Sequence, residues 1–272
     1  MNKTKIQKLY TLCIVLYLLV TSSTIVFANN SKSGLTAFKN NNYKLAYTLW
    51  KTDADKGHAI AQYYLGFMYQ NGLGLARNYQ RAFYWYRMAA KQNMAAAQVN
   101  LAYLYSKGQG VTLNRLKAFV WYQKAAKQGN SMAKVNLGYM YSKGLSVAKN
   151  YKVALRLYTE SAKAGNRTAQ HNLGVMYEHG FGVAQDYKKS LQWYLMAGKQ
   201  GYALSQRELG IIYLRGEGDI KNRKLYSIIY PNGRGARQDL RNAIFWFRKA
   251  ATQGDRISEN YLSRIDVRVQ QK

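Results

Sequence analysis

Cysteine is almost missing from this chain: the one thiol, Cys13, lies within the first 28 residues. Those residues carry a basic segment (Lys3, Lys5, Lys8), an apolar run from Leu9 to Val20, and Val26 and Ala28 at the end. That is the three-part layout of a secretory signal cut after Ala28. Its apolar core is short for a membrane span of ~20 residues. The expectation is a periplasmic or secreted protein with signal peptide 1–28 and a mature chain without thiols. Such a chain has no disulfide framework, no thiolate nucleophile and no thiolate metal site. No later hydrophobic run is long enough to cross a membrane.

Carboxylates are scarce as well. Twelve Asp and Glu face 41 Lys and Arg, a formal charge of +29. Removing residues 1–28 would take three lysines and no acid, leaving 38 basic and 12 acidic residues, or +26. Between Asp55 and Glu160 there is no carboxylate, against fifteen Lys or Arg. A field of this sign draws anionic partners and speeds their encounter.

There are three histidines, His58, His171 and His179. The last two share one predicted helix, eight residues and roughly 12 Å apart at 1.5 Å per residue, too far to hold one metal ion. Glu178 and His179 adjoin, but nothing positions a nucleophile beside them. Apolar residues recur at three and four rather than at two, so strands are not expected. The Gly-x-Gly pairs therefore act as turns, not as phosphate cradles after a strand. No catalytic set, cofactor motif or metal site is read from the chain.

What is present is a period. The segment AQVNLAYLYSKGQGVTLNRLKAFVWYQKAAKQG (97–129) recurs in kind 36 residues upstream and downstream. Its leucine appears as Leu65, Leu101, Leu137, Leu173 and Leu209. Its tyrosine appears as Tyr69, Tyr105, Tyr141, Tyr177 and Tyr213, and its first turn glycine as Gly72, Gly108, Gly144, Gly180 and Gly216. A fixed period of this length means stacked supersecondary units. Ala61, Leu65, Met68 and Tyr69 form one helical face; Gly66 lets another helix approach; Gly72 and Gly74 end the helix. Asn78 is a good N-cap for a second helix whose stripe is Ala82, Trp85, Tyr86, Ala89 and Ala90. The place of Trp85 is taken by Trp121, Leu157, Trp193 and, after a 17-residue insertion, Trp246.

These residues resemble the Sel-one-like repeat (SLR), a relative of the tetratricopeptide repeat, with A-x-x-x-L-G-x-x-Y-x-x-G-x-G followed by D-x-x-x-A-x-x-W-x-x-A-A-x-x-G. The match runs over 58–93, 94–129, 130–165, 166–201 and 202–254, the last holding the insertion 217–233. Residues 29–57 resemble an incomplete leading repeat and 255–272 a capping helix. The resemblance implies an all-α fold, a right-handed α/α superhelical solenoid of helix-turn-helix repeats, whose common role is to hold other proteins. Bacterial members are often exported. Two departures stand out. The usual Asp at the second-helix start is Asn42, Asn78, Asn114 and Asn150, and Asp only at Asp186 and Asp239. The insertion gathers Arg223, Lys224, Tyr226, Tyr230 and the lone Pro231, with Arg234 just beyond.

The positions that the family varies and turns to its concave side are the candidate binding residues: Tyr63, Phe67, Tyr103, Tyr139, His171 and Arg207. Tyrosine buries area at little entropic cost and suits protein recognition. Packing between neighbouring first helices would use the same residues. A ladder of Lys91, Lys127, Lys163 and Lys199 reads as cations near helix C-termini. Insertion residues Arg223, Lys224, Tyr226, Tyr230 and Arg234 form the second candidate surface, since insertions in repeat arrays map to loops. The function expected is an exported, non-enzymatic scaffold holding an acidic protein. An immunity protein that neutralises a secreted toxin, and a binder of an anionic envelope polymer, are the alternatives. Nucleic acid fits the charge but not the export signal.

Overall fold

The computed structural model describes residues 32–215 and 236–270, with side chains over 32–214 and 240–266. Residues 1–28, expected to be a signal, and the insertion residues Arg223, Lys224, Tyr226, Tyr230 and Arg234 lie outside these. The chain divides into two compact units, Met1–Gln128 and Gly129–Lys272. The first contains α1 (32–39), α2 (Tyr43–Asp55), α3 (Ala59–Asn71), α4 (Tyr79–Lys91), α5 (Ala95–Lys107) and α6 (Arg115–Lys127). The second contains α7 (Ser131–Lys143), α8 (Tyr151–Lys163), α9 (Arg167–His179), α10 (Tyr187–Lys199), α11 (Ala203–Arg215), α12 (Ala236–Ala251) and α13 (Arg256–Gln270). Among the described residues there are no strands. Each unit is a stack of antiparallel helical hairpins, the all-α repeat-solenoid class.

The caps set the helix starts. The side chains of Asn42, Asn78, Asn114 and Asn150 accept from the backbone N–H three residues on, as does Asp186. Asparagine thus satisfies one orphan donor as aspartate does, without the charge. At Asp239 the register differs, because α12 begins at Ala236 and the residue falls inside the helix. Gly72, Gly108, Gly144 and Gly180 end the first helices in the left-handed region.

Inside each hairpin the deepest aromatic is the residue after the tryptophan position. Tyr86, Tyr122, Tyr158, Tyr194 and Phe247 are all buried, whereas Trp121 and Trp193 are only partly so. These rings lie on the small residue of the facing first helix. A Cβ on Gly174 would stand 2.5 Å from the Tyr194 ring. The Tyr86 and Tyr194 hydroxyls donate to Gln70 Oε1 and Glu178 Oε2, both at 2.7 Å. Burial pushes the hydroxyl pKa values of Tyr122 and Tyr158 up to about 12.

A clasp of glutamines joins successive hairpins. Gln62, Gln98, Gln170 and Gln206 are buried on the first helices. Each donates to a carbonyl in the last turn of the preceding second helix: Ala54, Ala90, Ala162 and Gly198. Each accepts in turn from a glutamine closing its own hairpin: Gln92, Gln128, Gln200 and Gln253, at 2.7–2.8 Å. Two hydrogen bonds offset the cost of burying each amide. At 134 the buried glutamine becomes Lys134, which pairs with Glu160 at 2.7 Å, and at 164 its partner becomes Ala164.

The same hairpin carries Ser146 at φ 61, where the other turns have Gly74, Gly110 and Gly182 at φ 70. A side chain in that region is strained by roughly 1–2 kcal/mol. Ser146→Gly is therefore expected to raise the stability of the second unit by about 0.5–1 kcal/mol after the added freedom of the unfolded glycine. Urea denaturation checks this, with an unchanged or lower midpoint as the contrary result.

The last helix closes the second unit. Tyr261 of α13 stacks on Phe247 at 4.8 Å and Ile265 is buried.

Candidate functional site

The residues expected to bind belong to both units. In the first, Tyr63 and Phe67 sit on α3 and Tyr103 on α5. In the second, Tyr139 sits on α7, His171 on α9 and Arg207 on α11.

Four of the six have partners within the fold. Phe67 is half-buried 6.0 Å from Phe38. Tyr63 lies against Tyr64 and Tyr86 at 5.3 and 5.9 Å, and burial raises its hydroxyl pKa. Arg207 pairs with Asp255 at 3.0 Å and Glu208 at 3.5 Å, its side chain only 20% exposed. His171 Nδ1 lies 3.0 Å from Ser205 Oγ, with Tyr194 and Tyr202 rings at 5.4 and 5.2 Å. Desolvation first, then the Arg207 charge, lowers the His171 pKa to about 4. Its imidazole is neutral at pH 7.

Tyr103 and Tyr139 are different. They are 38% and 49% exposed, one turn before Lys107 and Lys143 on the same helices. Lys107 Nζ lies 6.0 Å from the Tyr103 ring centroid. Met132, seven residues before Tyr139 and so on the same face of α7, is exposed too. Ile60 and Leu204 hold the corresponding place on α3 and α11 and are likewise exposed. The sequence reading passed over these three, although their 72-residue spacing was visible.

Some of the cations have partners within the fold. Arg81, Lys117 and Lys189 lie over the repeat tyrosines Tyr69, Tyr105 and Tyr177 at 5.4–5.6 Å, so they serve the hairpins. Lys51, Lys134, Lys189 and Arg207 take carboxylates. In the first unit the only acids are Asp53 and Asp55, both on α2. The rest of that unit is uncompensated positive charge.

The contact of Ser205 with His171 has the elements of a nucleophile and a base. Ser205 is fully buried, so its hydroxyl offers no approach to a substrate. The nearby Arg207 charge also opposes the imidazolium that a base must form. His179 stacks on Phe181 at 5.2 Å, with Nδ1 3.0 Å from the Val175 carbonyl. Among the described residues no three His, Cys, Asp or Glu side chains come together as metal ligands would. No helix of the described residues is long and apolar enough to cross a membrane.

A family model for the Sel1 repeat matches residues 59–94, 95–130, 131–166, 168–202, 203–230 and 225–255. The last two matches overlap within the inserted stretch. No curated protein matches the chain significantly. Among solved structures, a Sel1 repeat protein from Oxalobacter formigenes is 31% identical, over 87% of each chain, with a TM-score of 0.71. A protective antigen of uropathogenic Escherichia coli with an SLR fold is also 31% identical over 89% of this chain, with a TM-score of 0.63. The chain spans 57% of that antigen's length. An immunity protein from Pseudomonas aeruginosa shares the fold at 20% identity and a TM-score of 0.51, over 78% of this chain and 75% of its own.

Proposed function

The chain belongs to the Sel1 repeat family, and from that premise we propose that it is an exported, non-catalytic scaffold that holds an acidic protein. The observation that carries this reading is the exposure of Tyr103 and Tyr139 on first helices, inside the stretch without carboxylates. The repeat residues are consumed by stacking, whereas these two rings are not. A tyrosine beside a lysine on a rigid helix is an anchor of the kind that dominates protein interfaces. The uncompensated charge favours an acidic partner and speeds its approach.

The narrower reading, an immunity protein whose partner is a secreted toxin, is the case in which the acidic partner is a toxin. At 20% identity the likeness to an immunity protein is one of fold, so this reading rests on the export signal and charge alone. An anionic envelope polymer would answer the charge but gives no role to Met132 and Tyr139.

The test is capture from envelope extract on immobilised chain. Tyr103→Ser and Tyr139→Ser together are expected to lower the recovery of a specific acidic protein at least tenfold while leaving the fold unchanged. Recovery of no protein, or recovery indifferent to both changes, contradicts the proposal.

A further inference from the structure

The lysine ladder contains one place unlike the rest. At the C-terminal ends of α4 and α6 a groove of about 510 Å³ opens in the first unit. That is the size of a ligand cleft. Its rim carries Lys91, Lys124 and Lys127, and its wall is Trp121. Lys124 Nζ lies 4.5 Å from the Trp121 ring centroid, the shortest cation–ring distance among the described residues. The floor is the glutamine clasp with Asn93 added: Gln128 Nε2 donates to Gln98 Oε1 at 2.8 Å and to Asn93 Oδ1 at 3.1 Å. Asn93 is left-handed at φ 65, at a position that is glycine in the other hairpins.

From this geometry we infer that the α4–α6 groove is a binding site for an acidic peptide segment of a partner protein. Three lysines line one cleft, and neither the cleft nor the sequence from 56 to 159 contains a carboxylate to neutralise them. Asn93 Nδ2 and Gln128 Oε1 have no hydrogen-bond partner among the described residues. The groove therefore offers a donor and an acceptor beside its cations. A peptide carrying side-chain carboxylates and backbone N–H groups matches all of these. A polyphosphate matches the cations and the donor but brings no N–H to the Gln128 acceptor.

The corresponding places elsewhere lack the set. On α2 and α4 the first lysine is replaced by Asp55, which pairs with Lys51, and Lys124 by Met88. On α8 and α10, Lys163, Lys199 and Trp193 recur, but Met196 and Gly165 replace Lys124 and Asn93. On α10 and α12, Lys199 and Lys249 are present and Thr252 takes the third place. A single lysine answers the dipole at a helix C-terminus, so helix capping does not call for three of them in one cleft.

The inference rests on the scaffold reading for the existence of a partner, and its test isolates the groove. Fluorescein-labelled hexaglutamate is titrated with the purified chain at 0.15 M salt, where the Debye length is about 8 Å and distant charges are screened. The expected result is one saturable site. Lys124→Met with Lys127→Met weakens it at least tenfold, and Lys163→Met with Lys199→Met changes it less than twofold. Hexaglutamine does not bind. The inference is overturned by absent binding or by equal losses in the two double variants. It is also overturned by a hexaphosphate that binds more tightly with the same lysine dependence, which marks a general polyanion site. Loss of hexaglutamate binding with partner capture intact removes the groove alone; the reverse pattern removes the scaffold reading alone.

Discussion

Tyr194→Ala is expected to destabilise the second unit by about 3–5 kcal/mol, the range for deleting a fully buried aromatic side chain. The ring is 1% exposed, lies on Gly174 and His171, and donates its hydroxyl to Glu178. Tyr194→Phe keeps the ring and is expected to cost about 1.5–3 kcal/mol, the worth of a hydrogen bond to a charged group. Phe247 already fills the corresponding place without a hydroxyl. The reciprocal change, Gly174→Val, puts a Cβ 2.5 Å from the ring and is expected to cost about 3 kcal/mol by overpacking. Ala102 holds the same place on α5 and is fully buried there, so a single methyl is tolerated where the hairpin is built around it. The double variant should cost less than the sum, because the valine methyls occupy space that the ring has left. Chemical denaturation of all four variants decides it; a strictly additive cycle would show that the two side chains do not share one site.

Acid will also weaken the second unit through His171. Its folded pKa is about 4, against 6.5 for the exposed group. Between these values the unfolded chain binds a proton that the folded chain refuses. Stability therefore rises with pH across this window. Above pH 6.5 both states are neutral and nothing is lost. As pH falls from 6.5 towards 4 up to about 3 kcal/mol goes, at 1.36 kcal/mol per pH unit of displacement. Carboxylates such as Glu160 and Asp186, whose pKa values Lys134 and the Lys189 backbone lower, lose their contributions further down. His171→Val separates the two, because Val99 and Val135 are buried at the corresponding places. Stability measured at pH 7 and pH 4 should drop less for His171→Val than for the wild type, by about 3 kcal/mol. Equal drops would mean that His171 is protonated within the fold.

The scaffold was largely legible in the residues because a repeat displays its own core. Leu65, Leu101, Leu137, Leu173 and Leu209 recur without exception and are all buried. The asparagine caps and turn glycines are local, and they act where they were read. At the tryptophan position Trp85, Leu157 and Trp246 are buried but Trp121 and Trp193 only partly so, while the next residue, Tyr86, Tyr122, Tyr158, Tyr194 or Phe247, is buried in all five repeats. The glutamine clasp was just as periodic and went unread, because a recurring polar residue looks like surface until its partners are known. The candidate site was the least legible part. A period says which residues are equivalent, not which neighbour each meets. Phe67 and Tyr103 hold the same place 36 residues apart, yet Phe67 is half-buried 6.0 Å from Phe38 and Tyr103 is 38% exposed. The lysine ladder looked uniform for the same reason, until Asn93, Trp121 and Lys124 set the α4–α6 place apart.

Photo-crosslinking inside the intact cell envelope tests the central claim most directly. A benzophenone amino acid placed at Tyr103 or at Tyr139, and at the exposed Lys152 as reference, is irradiated and its adducts are identified. The scaffold account predicts a discrete protein adduct from Tyr103 or Tyr139, acidic in composition and absent from Lys152. Folded, exported chain that yields no protein adduct from either tyrosine position would contradict it.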